Sequence, residues 1–147
     1  MSAMAMADRE AEMTQIIDLL SHYAWCLDKT QVETMRDVFA EKAEALVKVA
    51  GNGATEQWYG RDRVVDGLIG MRESRSQWRS QQLTTPLFTA LSDTRATVRT
   101  YLSLFTCDRG QTPEIAATGE YRANVSRAEG RWAIDRLELI LDCDIAV

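Results

Sequence analysis

The sequence predicts an α+β fold, a strongly curved antiparallel sheet whose concave face is covered by helices, and three observations carry that prediction. Apolar residues recur at helical spacing from Ile16 to Leu27; the spacing changes to the two-residue alternation of strands at Ala43; and short turn-rich separators cut the chain beyond Trp78 into successive long strands. A chain of 147 residues is the size of one domain. Residues 1–7 are expected to be a flexible tail and residues 8–147 a single domain.

The first helix is expected from Asp8, as N-cap, to about Leu27, with Glu10 and Glu12 well placed in its opening turn. Ile16, Leu20, Tyr23 and Leu27 fall on one face and call for a core. Asp28 follows where the apolar rhythm stops, against the negative end of the helix dipole, a placement disfavoured by roughly 0.3 to 1 kcal/mol. Thr30-Gln31-Val32-Glu33 has the form of a capping box and opens a second helix from Val32 to about Ala40, with Val32, Met35, Val38 and Phe39 inward. This leaves Asp28 either as a base, if apolar neighbours and the helix end raise its pKa, or as a backbone-bonded residue of the turn.

From Ala43 the period is two, with Ala45, Val47 and Val49 alternating with Glu44, Leu46 and Lys48. Gly51-Asn52-Gly53 turns this strand into a hairpin with Thr55 to Tyr59. A third helix follows from Arg61 to Glu73, although Gly67 and Gly70 each cost it about 1 kcal/mol relative to Ala. Four strands complete the chain: Ser80 to Leu91, Arg95 to Cys107, Ile115 to Arg127, and Arg131 to about Asp142. Their separators are rich in turn residues, so neighbours are expected to pair as antiparallel hairpins.

Composition excludes several classes of function. A formal net charge of -5 gives no basic stripe for nucleic acid, and no apolar run reaches the length of a bilayer span. Arg72, Arg75 and Arg79 form the one local basic cluster, read as a solvated face in preference to an anion site. Cys26, Cys107 and Cys143 are odd in number and lack metal-ligand spacing, which with the absence of a secretion signal points to the cytoplasm and against zinc. His22 has no second histidine to share a metal with and is read as a surface or half-buried residue. Trp58, Trp78 and Trp132 are read as packing residues, with Trp58 also weighed as a lining residue of a ligand pocket.

A succession of short motifs then carries a resemblance: Arg9-Glu10-Ala11-Glu12-Met13, Tyr23-Ala24-Trp25-Cys26-Leu27-Asp28, Val38-Phe39-Ala40-Glu41, Gly60-Arg61 opening a helix, Gly119-Glu120-Tyr121, and Gly130-Arg131-Trp132-Ala133-Ile134. In this order, over nearly the whole chain, they resemble the SnoaL-like, scytalone dehydratase-like branch of the nuclear transport factor 2-like superfamily. The resemblance implies a cone-shaped, cystatin-like α+β barrel with a pocket between the bent sheet and the first helix, and a homodimer formed through the sheet's outer face. It also implies proton abstraction, dehydration, isomerisation or ring closure of a small hydrophobic substrate, without metal or organic cofactor.

In the dehydratase-like members a carboxylate after the first helix pairs with a histidine on the third strand. Asp28 matches the carboxylate. Aligning Thr84-Thr85-Pro86 with the family's Thr-Asn-Pro puts Gln81 at the histidine position and Thr85 at the asparagine, and Ala123 stands where many relatives carry an acid. Glutamine cannot take a proton at neutral pH. Strand alternation would turn Gln81, Leu83, Thr85 and Leu87 to one face, and the family's inward tyrosine would be Tyr121, beside Ala117, Gly119, Ala123 and Val125. Asp28 and Tyr23 are therefore the candidate catalytic residues, and Gln81, Thr85, Tyr121, Leu83 and Trp58 the candidate substrate-binding residues. For Tyr23 and Tyr121 a core role, with the hydroxyl on a backbone carbonyl, stays open. The other function class open to the sequence is a noncatalytic binding or assembly subunit like the β subunits of ring-hydroxylating oxygenases.

Overall fold

The computed structural model describes residues 5–73 and 78–143. Helix α1 (Met6–Asp28) and the single turn α2 (Val32–Arg36) lead into the hairpin of β1 (Phe39–Val49) and β2 (Ala54–Tyr59). Helix α3 (Arg61–Glu73) follows, then β3 (Trp78–Leu91), β4 (Arg95–Cys107), β5 (Glu114–Ala128) and β6 (Arg131–Leu141). The six strands form one sheet in the order β2-β1-β6-β5-β4-β3. Its inner face is built by strict alternation: Ala96, Val98, Thr100, Leu102 and Leu104 on β4, and Ala117, Tyr121, Ala123 and Val125 on β5, are all buried. Ile16, Leu20, Tyr23 and Leu27 of α1 and Val64, Val65, Leu68 and Ile69 of α3 close over that face.

The sheet is not wholly antiparallel. β3, β4, β5 and β6 pair antiparallel in succession, as their short separators require, but β1 lies parallel to β6, with Ala45 opposite Leu137 and Val47 opposite Leu139. No turn signal can announce a pairing between segments this far apart in the chain. The pair is reinforced on its outer face by alternating charges, Arg136 on Glu44 at 2.9 Å and Lys48 on Glu138 at 3.3 Å.

The first two helices differ from expectation at their ends. α1 begins at Met6, with Ala5 at the N-cap making no side-chain cap bond, so Asp8 lies inside the first turn. At the other end the Gln31 N–H reaches the Cys26 carbonyl at 2.8 Å and the Thr30 N–H the Leu27 carbonyl at 3.2 Å. This crossed pair is a Schellman motif, and it places Thr30 at the position that must be left-handed, φ 52°. Thr30 thus ends α1 and does not cap α2, whose N-cap is Gln31 and whose expected capping box does not form. α2 also stops at Arg36: Val38 and Phe39 are buried as expected, but the Ile134 N–H bonds the Val38 carbonyl at 2.9 Å and draws this β-branched and aromatic stretch into the sheet.

α3 has the predicted bounds, and Gly67 has a packing reason. A Cβ there would lie 2.2 Å from the indole of Trp58, so the glycine is the seat on which that ring rests. β3 is an edge strand, and its alternation breaks where the register shifts between Thr84 and Leu87. Thr85 adopts φ 56° beside Pro86, which has no N–H to donate. In consequence Gln81 is buried and Leu83 half-buried, whereas Thr85 and Leu87 are exposed rather than on the inner face.

A β-branched residue held left-handed at a helix terminus is strained by about 1 kcal/mol or more, and glycine relieves it. Thr30→Gly is expected to raise the unfolding free energy by about 1 kcal/mol, measured by urea titration; equal or lower stability would contradict the assignment of Thr30 to the terminating position.

Candidate functional site

Asp28 is the last residue of α1, and its carboxylate faces the free edge of β3. An edge strand has backbone donors without a neighbouring strand. The Gln81 N–H is one of them, and it donates to Asp28 Oδ2 at 2.8 Å, while Gln81 Nε2 donates to Oδ1 at 3.4 Å. Asp28 is therefore bonded to backbone, as the alternative reading of the sequence had it, but on β3 and not within the turn.

The network continues inward. Tyr121 Oη donates to Gln81 Oε1 at 2.5 Å, and the Tyr23 and Tyr121 hydroxyls lie 3.0 Å apart. Because the Tyr121 proton is engaged by Gln81, Tyr23 donates to Tyr121, and the chain runs Tyr23, Tyr121, Gln81, Asp28 in one direction. Tyr23 is held edge-on between Phe39 and Tyr121, with ring centroids 6.0 and 5.4 Å away.

Electrostatics follow from burial. The Asp28 carboxyl is raised above its ordinary pKa chiefly by desolvation, an effect opposed by the two Gln81 bonds and then by Arg79 and Arg72. Desolvation also pushes Tyr121 up to about 12 and Tyr23 well above its ordinary value, so both hydroxyls keep their protons at neutral pH. Arg72 Nη2 reaches the Asp28 backbone carbonyl at 3.4 Å, which sets a cation against the negative end of α1.

Two cavities meet at this network. An inner one of about 150 Å³ lies between α1, α3 and the sheet, walled by Leu27, Leu68, Leu102, Leu104, Leu139 and Leu141, with Tyr23, Tyr121, Gln81, Arg72 and Arg79 as its polar part. A groove of about 440 Å³ lies outside it and contains Asp28, Arg79, Gln81 and Leu83. Trp25 and Trp78 stand on that groove, 67% and 53% exposed, so Trp78 is not the packing residue that its size suggested.

The structure thus brings Asp28, Tyr23, Gln81 and Tyr121 together and leaves Leu83 on the outer groove. It does not bring Trp58 or Thr85 to them: Trp58 is seated on Gly67, and Thr85 is turned out by the register shift. The basic cluster is not a solvated face. Arg72 and Arg79 point to the cavity, while Arg75 lies outside the described residues. The signal was present in the sequence, since Arg79 shares the parity of Gln81 along β3 and Arg72 follows Leu68 by one helical turn. His22 is on the surface, 3.5 Å from Asp18, and Trp132 is buried with its indole N–H on Glu12. Among the described residues no group of three His, Cys, Asp or Glu side chains is placed to hold a metal, and no helix is long and apolar enough to cross a membrane.

A cone of curved sheet lined by helices, with a carboxylate at the end of the first helix, is the NTF2-like, cystatin-like architecture. The chain belongs to the SnoaL-like domain family, whose model matches residues 8–138. It is similar to a candidate scytalone dehydratase from Novosphingobium aromaticivorans DSM 12444, at 25% identity and TM-score 0.74 over 95% of this chain and 93% of that one. The fold is shared with the hexachlorocyclohexane dehydrochlorinase of Novosphingobium barchaimii LL02, at 18% identity and TM-score 0.76 over 95% and 92% of the two chains. It is shared too with the β subunit of a candidate aromatic-ring-hydroxylating dioxygenase from N. aromaticivorans DSM 12444, at 15% identity and TM-score 0.78 over 92% of each chain. No curated protein matches the sequence.

A carboxyl whose pKa is raised in the folded state binds its proton more tightly there than in the unfolded chain. Its contribution to stability is therefore complete below the ordinary value of 3.8 and is lost as pH rises through the folded value. Asp28→Asn keeps an acceptor for the Gln81 N–H and removes this loss. Thermal melts from acid to neutral pH are expected to show the variant gaining on the wild type as pH rises; a gap that moves the other way would mean that Asp28 is stabilised in its charged form. Tyr121→Phe takes the donor from Gln81 Oε1 and is expected to cost about 1 to 3 kcal/mol in urea unfolding; no loss would show that the buried amide does not need it.

Proposed function

We propose that the protein is a cofactor-independent acid–base catalyst, a lyase, isomerase or cyclase acting on a small hydrophobic substrate, with Asp28 as general base. The observation that carries this reading is a half-buried carboxylate with a raised pKa beside an apolar cavity, held by Gln81 in a fixed orientation. Asp28 takes a proton from an acidic C–H or O–H and can return it to another atom of the same substrate. Gln81, Tyr23 and Tyr121 fix the geometry and polarise the oxygen that gains charge. The names of two similar proteins, a dehydratase and a dehydrochlorinase, denote eliminations and agree in class with such a step. In this reading the substrate enters along the groove between Trp25 and Trp78, and the chain pairs with a second copy through the outer face of the sheet, where Tyr101 and Ile115 are exposed.

A second reading is favoured by one observation: both carboxylate oxygens of Asp28 are bonded to Gln81, as in a site that binds without reacting. The protein would then be a noncatalytic binding or assembly subunit, in line with the oxygenase β subunit that shares the fold. Turnover separates the two. Cyclic β-hydroxyketones and enones in D2O, followed by NMR, are expected to lose water or gain deuterium faster with the wild type, and Asp28→Asn is expected to lower that rate by about 100-fold or more. Equal rates for the two proteins would remove Asp28 from the chemistry.

A further inference from the structure

We propose that the inner cavity takes a small apolar ligand bearing a carboxylate, whose oxygens pair with the guanidinium of Arg79. This names a ligand class for the cavity beside the site proposed above and rests on that reading only in taking the cavity as a ligand's place.

Arg79 carries a donor in this site that is not already used. Its Nε is shut off from solvent and has no acceptor among the described residues. Asp28 is the carboxylate whose field it feels, yet both Asp28 oxygens are bonded to Gln81, and among the described residues Arg79 forms no ion pair. A buried donor without a partner costs free energy that a bound acceptor would recover. Desolvation lowers the pKa of Arg79 without removing its charge, which leaves a guanidinium with too little hydration and no counter-ion in contact.

The hydroxyl donors are committed. The proton of Tyr121 goes to Gln81 and that of Tyr23 to Tyr121. An incoming oxygen can satisfy Arg79, and the fork of a guanidinium fits the two oxygens of a carboxylate. Asp28 does not oppose such a ligand head-on, because it lies on the outer groove, whereas Arg79 lines both that groove and the inner cavity. The remaining walls are leucines and Met71, which call for an apolar body. A volume of about 150 Å³ is that of an engineered apolar cavity known to hold benzene, so one six-membered ring is the natural scale.

The test is equilibrium binding to the full chain, by calorimetry, of benzoate and cyclohexanecarboxylate against benzamide and cyclohexanecarboxamide. The acids are expected to bind and the amides to bind roughly tenfold to a hundredfold more weakly, the range of a charge-assisted bond. Arg79→Met is expected to abolish that gap and Arg79→Lys, which keeps the charge but not the fork, to retain part of it. Asp28→Asn is expected to keep the preference for acids, so loss of turnover in that variant and loss of acid binding in Arg79→Met report on different claims. Equal binding of acids and amides by the wild type, binding of neither, or an acid preference that survives in Arg79→Met would each overturn the assignment.

Discussion

The bond between the Gln81 N–H and the Asp28 carboxylate, 2.8 Å long, is the constraint on which the rest of the site depends. It joins two otherwise unfavourable features. β3 is an edge strand with unpaired backbone donors, and α1 ends on an acid that its own dipole disfavours. Each supplies what the other lacks. The bond also fixes the register of β3 against the helix, and with Gln81 fixed, its side chain is directed inward, 7% exposed, to a tyrosine hydroxyl.

From that point the orientation of every polar atom follows. A carboxylate accepts, so the Gln81 amide must turn its nitrogen towards Asp28 and its oxygen towards Tyr121. Tyr121 must then donate to Gln81, and Tyr23 to Tyr121. The tyrosines are at once core residues and members of the network: Tyr23 packs against Phe39, and both hydroxyls are bonded to side chains, not to backbone carbonyls. Folding and site formation use the same atoms here, which is why burial raises the pKa of the acid and of both phenols together.

What the sequence made legible was local. The face of α1, the bounds of α3 and the four-strand meander follow from periodicity and turn chemistry that lie within a few residues of each other. The inward placement of Gln81 and Tyr121 was legible through alternation combined with the family resemblance. What was not legible depends on distant partners. The parallel pairing of β1 with β6 has no local signature. Thr30-Gln31-Val32-Glu33 reads as a cap for the helix that follows, yet the carbonyls of Cys26 and Leu27 take Gln31 and Thr30 for the helix that precedes. Thr85 fits the alternation of β3 on paper, but the shift beside Pro86 rotates it outward. Arg79 shares the parity of Gln81 along β3, but an arginine in a sequence points to solvent more often than to a cavity.

The glutamine at the centre of the network sets what that network can do. An imidazole near neutral pH can lose or gain a proton, and with it reverse the direction of every bond to which it is joined. An amide cannot, so the polarity of the chain from Tyr23 to Asp28 is fixed over the whole physiological range. The tyrosines, pushed upward by burial, do not titrate there either. Under the proposed function Asp28 is then the network's one proton-exchanging group. In the proposed chemistry this restricts the site to steps in which a single carboxylate removes a proton and the same carboxylic acid delivers it. A reaction that needs a separate acid and base held at once would require a second titrating group in the network, and neither the amide nor the phenols can serve as one near neutral pH.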